Sequence, residues 1–172
     1  MEEIEKPSAD KRTIGVKYGL ISAVVGIVFF LVLNFAGQNP YVIKWGWAVS
    51  LTTTIVLIFL AHKEYKEGNN GFMTYGEGIA IGFWFTLVGV AVGMLFNYIY
   101  VTFIDPNIMA EFYESQYEQM QQKGMSDDQI EMASGFTKKL FWVFGTIGAT
   151  FFSMATVLIV TIFTQKRPPE QR

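Results

Sequence analysis

The chain has 172 residues, 51% of them apolar and only 16% charged, with a formal net charge of −2 and no cysteine. Soluble domains carry about 25% charged residues and a nucleic-acid binder needs a basic face, so neither class fits. The missing thiols exclude disulfides, cysteine-ligated zinc, iron–sulfur clusters and a thiol nucleophile.

Residues 1–13 form a charged tail in which Glu2, Glu3, Glu5 and Asp10 accompany the bases. Uncharged runs then cover Tyr18 to Ile43, Trp45 to Ala61, Gly78 to Ile104 and Leu140 to Gln165. About 20 apolar residues cross the hydrocarbon core of a bilayer, so these runs predict transmembrane helices over 14–36, 42–61, 78–104 and 140–164. The first is read as a retained helix rather than a cleaved signal. Its flank holds acids, its run is far longer than a signal's apolar region, and Asn34-Phe35-Ala36 lacks the small residues of a cleavage site.

Gly37-Gln38-Asn39-Pro40 is a short turn that folds the first two helices into an antiparallel hairpin. The connection over 62–77 contains Gly68-Asn69-Asn70-Gly71 and predicts a mobile loop, with the lone His62 solvated at the helix end. Thr74 and Glu77 have capping-box spacing for the third span, where a carboxylate also suits the positive end of the helix dipole.

The segment 105–139 is the one sizeable aqueous piece, with seven acids against three bases. Asp105-Pro106-Asn107 opens a helix there, and Met109, Phe112, Tyr113, Gln116, Tyr117 and Met120 give it an apolar stripe. Gly124 is placed to cap it. Ser126 and Gln129 then predict a second, shorter helix that stops at Gly135. Residues 165–172 form the last tail.

Nine of the thirteen bases (Lys6, Lys11, Arg12, Lys17, Lys63, Lys66, Lys166, Arg167 and Arg172) fall on the side of the two termini. The positive-inside rule makes that side cytoplasmic, in a bacterial inner membrane. The fold class expected is an all-α membrane protein: four transmembrane helices with an extracytoplasmic amphipathic helical insertion between helices 3 and 4.

Small residues at helical spacing let helix backbones approach closely in lipid. Gly15, Gly19, Ser22 and Gly26 line one face of the first span, Gly78, Gly82, Gly89 and Gly93 the third, and Gly145, Ala149, Ser153 and Thr156 the fourth. They predict a compact bundle, with homo-oligomerisation through one stripe as the alternative. An offset of 63 pairs Gly15 with Gly78, Gly19 with Gly82 and Asn34 with Asn97, the pattern of a duplicated hairpin.

Candidate functional residues are few. Asn34, Asn97 and Asp105 are candidates for a small outward-facing polar pocket, against the plainer reading of amides bonded between helices. Glu111, Glu114 and Glu118 form a candidate surface for a membrane or periplasmic protein partner. Lipid is the one certain environment, and no nucleic-acid partner, metal or cofactor is expected. There is no second histidine, GxSxG, phosphate-binding loop or HExxH, so the expectation is a non-enzymatic protein: an accessory or scaffold subunit, or an oligomeric small-solute or ion permeation unit.

Three motifs in order, Gly71-Phe-Met-Thr-Tyr-Gly-Glu-Gly78, Phe96-Asn-Tyr-Ile-Tyr-Val-Thr-Phe-Ile-Asp-Pro106 and Gly124-Met-Ser-Asp-Asp-Gln-Ile-Glu131, resemble the bacterial membrane proteins grouped as domain of unknown function 4199, typical of Bacteroidota. The likeness runs from about Lys11 to Thr164. It implies a four-span protein with an outer helical insertion and brings no catalytic residue, cofactor or substrate with it.

Overall fold

The computed structural model describes residues 10–168. The outermost tail residues, Lys6 and Arg172 among them, lie outside the described residues. Five α-helices follow in order: α1 (Lys11–Phe35), α2 (Gly46–Gly68), α3 (Tyr75–Ile99), α4 (Asn107–Gln122) and α5 (Asp127–Thr164). A π-helical turn, Tyr100–Ile104, extends α3. Four of the helices are long and apolar enough to cross a membrane; α4 is not one of them.

Local chemistry sets the starts. Asp10 caps α1 by accepting from Thr13 N at 2.9 Å and Thr13 Oγ1 at 2.6 Å, and these bonds hold its carboxyl below the usual carboxylate range. Thr74 with Glu77 and Ser126 with Gln129 form reciprocal capping boxes on α3 and α5. Gly124, at φ +77°, turns the chain between α4 and α5.

Three boundaries differ from those the sequence predicts. α2 begins at Gly46, after turns through 37–45, and runs on to Gly68, because His62-Lys-Glu-Tyr-Lys-Glu contains no breaker. The loop behind it is therefore short. It is also pinned: Met73 and Lys166 exchange two backbone hydrogen bonds of 2.8 Å, and Met73 is fully buried. Finally, no helix stops at Gly135. One glycine costs a helix only about 1 kcal/mol relative to alanine, no proline follows it, and α5 continues unbroken for 38 residues, about 57 Å at 1.5 Å each.

The spanning helices form a ring in the order α1, α3, α5, α2. α1 and α3 run parallel, with Gly15 against Ile81 and Trp84, Gly19 against Phe85 and Val88, and Phe30 against Phe96 and Tyr100. α5 runs antiparallel to α3, with Thr161 on Gly78, Val157 on Gly82 and Ser153 hydrogen-bonded to Thr86 at 2.6 Å. A two-fold duplication would turn Gly78 toward α1, as Gly15 turns toward α3. Gly78 instead meets Thr161, so the paired positions serve different interfaces.

The bundle thus has a termini end, where α1 and α3 begin and α2 and α5 finish, and an α4 end. The core is continuous at the termini end, where Ile58, Ile81, Phe85 and Val157 are buried. Outward surfaces are rich in apolar side chains such as Phe103, Phe152 and Phe163, each over 70% exposed. That surface suits hydrocarbon rather than water.

Candidate functional site

At the α4 end, polar groups are embedded in an aromatic cluster. Phe30 of α1 packs edge-on against Phe96 and Tyr100, with ring centroids 5.6 and 5.2 Å away, and against Tyr41 at 5.8 Å. Tyr41 also meets Phe112 of α4 and Phe141 of α5 at 5.9 and 5.7 Å. One ring from the α1–α2 turn therefore joins three other elements. Offset and edge-on pairs of this kind add about 0.5–1.5 kcal/mol each beyond area burial. Burial in this cluster pushes the Tyr41 phenol well above the usual tyrosine range.

The two predicted amides belong to the cluster but do not share a pocket with Asp105. Asn34 donates to the Tyr100 hydroxyl at 2.7 Å. Asn97 accepts from the Tyr41 hydroxyl at 2.8 Å and donates to Gly93 O at 2.8 Å. Asp105 instead accepts from Asn107 N at 3.2 Å and caps the first turn of α4. The sequence alone does not single out Tyr41 and Tyr100 as the amides' partners. No local spacing signals either pair, since Asn34–Tyr100 and Tyr41–Asn97 lie 66 and 56 residues apart in the chain.

Below the cluster, a groove of about 380 Å³ opens between α1, α2 and α3. Gly26, Gly93 and Asn97 line it together with Ser22, Ser50 and Trp47, and no charged side chain does. A methyl group added at Gly26 or Gly93 would meet nothing within 4 Å.

The predicted acidic surface divides. Glu111 accepts from Asn39 Nδ2 at 3.1 Å, and the same amide donates to Ile108 O at 2.8 Å, fastening α4 to the α1–α2 turn. Glu114 and Glu118 are exposed and have no ion-pair partner among the described residues. Lys138 lies over the Tyr113 ring, 5.3 Å from its centroid.

At the termini end, Glu77 accepts from Thr74 N at 2.8 Å and from the Tyr65 hydroxyl at 2.7 Å, so the cap of α3 also ties α3 to α2. His62 is not solvated. It is fully buried, with Nδ1 2.7 Å from Thr164 Oγ1 and Nε2 3.2 Å from Gly78 O. A carbonyl only accepts, so Nε2 carries the proton, and the neutral ring takes its second bond from the Thr164 hydroxyl. Continuation of α2 past Ala61 turns this residue inward, and the assumed helix end at residue 61 concealed it. Lys66 donates to Thr164 O at 3.0 Å, capping α5 next to it.

No group of three or more His, Asp or Glu side chains suited to a metal exists among the described residues. Four apolar spanning helices around a tightly packed half-core define a multi-pass membrane protein. Residues 17–166 match the family described as protein of unknown function (DUF4199), and the chain belongs to that family. No curated protein and no solved structure matches it.

Proposed function

We propose that this chain is a non-enzymatic accessory or scaffold subunit of a bacterial inner membrane. Both termini are cytoplasmic, and the protein docks an envelope partner through the acidic face of α4 and the first turns of α5. The observation that carries the reading is the division of labour on α4. Ile108 is 2% exposed and Phe112 packs inward, while Glu114 and Glu118 point out unpaired. On α5, Met132 and Phe136 are each 64% exposed beside Asp128 and Glu131. Apolar anchors within a charged rim suit a protein partner with a basic surface. Seven described bases at the termini end (Lys11, Arg12, Lys17, Lys63, Lys66, Lys166, Arg167) against four at the α4 end support the orientation.

Crosslinked pull-down from native membranes tests the proposal. A near-stoichiometric partner should be recovered with the wild type and lost with Glu114→Lys/Glu118→Lys. Glu111→Lys is less informative because Glu111 also holds Asn39. Retention of the partner by the double reversal would remove the docking reading. Labelling of a Ser115→Cys variant only from the cytoplasmic side would remove the orientation. The alternative, permeation through an oligomer, has the groove in its favour. The filled core at Ile58, Ile81, Phe85 and Val157 would force any pathway to run between copies. That reading predicts vesicle flux that Asn97→Leu alters.

A further inference from the structure

We propose that the groove between α1, α2 and α3 binds one membrane phospholipid, its acyl chain laid along the glycine floor and its phosphate met by Lys44. The groove spans nine residues on α1, Ser22 to Phe30, and nine on α3, Gly89 to Asn97. That is about 12 Å of helix axis within the spanning segments of α1 and α3, and the groove reaches the α4 end at Pro40 and Ile43. Its uncharged lining excludes an ionic ligand body, since nothing there would compensate a desolvated charge. A void of about 380 Å³ walled by glycine backbone, Ile27, Phe29, Phe30 and Ile43, with Ser22, Ser50 and Asn97 among them, forfeits dispersion contacts where those side chains face it. The surrounding hydrocarbon is the material at hand to restore them.

Water fits less well. The Asn97 amide is already committed to Tyr41 and Gly93, which leaves the Ser22 and Ser50 hydroxyls as the lining side chains that could hold water. The mouth identifies the lipid class. Ile43 and Trp47 line the groove at the start of α2, and Lys44 between them is exposed with no ion-pair partner among the described residues. It is the base nearest in sequence to the groove's lining, where a phosphate is its natural complement. Ser50, one turn further into the groove, supplies a hydroxyl at the depth where the ester carbonyls of such a lipid would follow.

Native mass spectrometry of detergent-purified protein reads the site directly. Wild type should retain one phospholipid per chain after the bulk lipid is stripped. Gly93→Leu fills the floor without a backbone clash and should lower occupancy about tenfold or more. Gly26→Leu provides the same test should Gly93→Leu misfold, and Lys44→Glu should weaken retention of anionic phospholipid. No retained lipid in the wild type, or equal retention in both filled variants, overturns the site.

Two further outcomes are distinct. The native chain has no cysteine, so Ser22→Cys is a unique label. In phospholipid nanodiscs it should resist a charged thiol reagent, and fast reaction would make the groove a water vestibule. Loss of a crosslinked dimer in Gly93→Leu, with no lipid in either protein, would assign the groove to a second copy.

Discussion

Gly15, Gly19, Gly78 and Gly82 at the termini end sit where a methyl group would collide with the neighbouring helix. Ile81 O lies 2.5 Å from a Cβ built at Gly15, and Phe85 O lies 2.7 Å from one at Gly19. Gly26 and Gly93, continuing the same stripes toward the α4 end, face open space. One sequence pattern thus makes a seam in one half of the bundle and a groove in the other. The two halves differ in what lies opposite the glycines: packed side chains and backbone of α3 and α5 at the seam, and the first turn of α2 across the groove. A small residue permits close approach without enforcing it. Whether the approach happens depends on what lies opposite.

The largest expected effect breaks the seam. Gly82→Leu drives a side chain into Val157, and overpacking typically costs about 1–3 kcal/mol, more where backbone opposes it. Gly93→Ala should be neutral or stabilising by up to about 1 kcal/mol, since alanine is the better helix former. Thermal or denaturant unfolding in detergent measures both. Equal destabilisation would mean that the two halves are packed alike.

The spans, the capping boxes and the small-residue stripes were legible because each is written in local residue order. The interior was not. His62 beside Lys63 reads as a solvated helix end. Its burial depends on α2 continuing one further turn and on Thr164, 102 residues away, arriving opposite it. Asn34 and Asn97 read as candidates together with Asp105, which is near Asn97 in sequence, whereas their hydrogen-bond partners Tyr100 and Tyr41 arrive through the fold. Gly135 misled for the opposite reason: a weak local breaker was outvoted by the strong helix formers around it.

His62→Leu sharpens the comparison at the termini end. It removes the ring's bonds to Thr164 and Gly78, and should cost about 1–3 kcal/mol. Part of the loss is offset because the Thr164 hydroxyl already lies 2.9 Å from Val160 O and can remain satisfied there. Unfolding of His62→Leu at wild-type temperature would show that the junction of α2, α3 and α5 rests on packing alone. Asn34→Leu at the other end should cost about 0.6–2 kcal/mol, the range of interhelical hydrogen bonds in membranes.

Tyr41→Phe gives the smallest effect and the most specific one. The ring and its contacts with Phe30, Phe112 and Phe141 stay, and only the hydroxyl bond to Asn97 goes, for about 1 kcal/mol. Burial raises the folded-state pKa of this phenol above its unfolded value. Its contribution is therefore fully present below the unfolded value of about 10 and is lost as pH rises toward the folded one. Wild type should lose stability relative to Tyr41→Phe as the pH is raised above about 10, and the gap between them should be constant below it. A gap that persists unchanged at high pH would place the Tyr41 hydroxyl in contact with water rather than buried on Asn97.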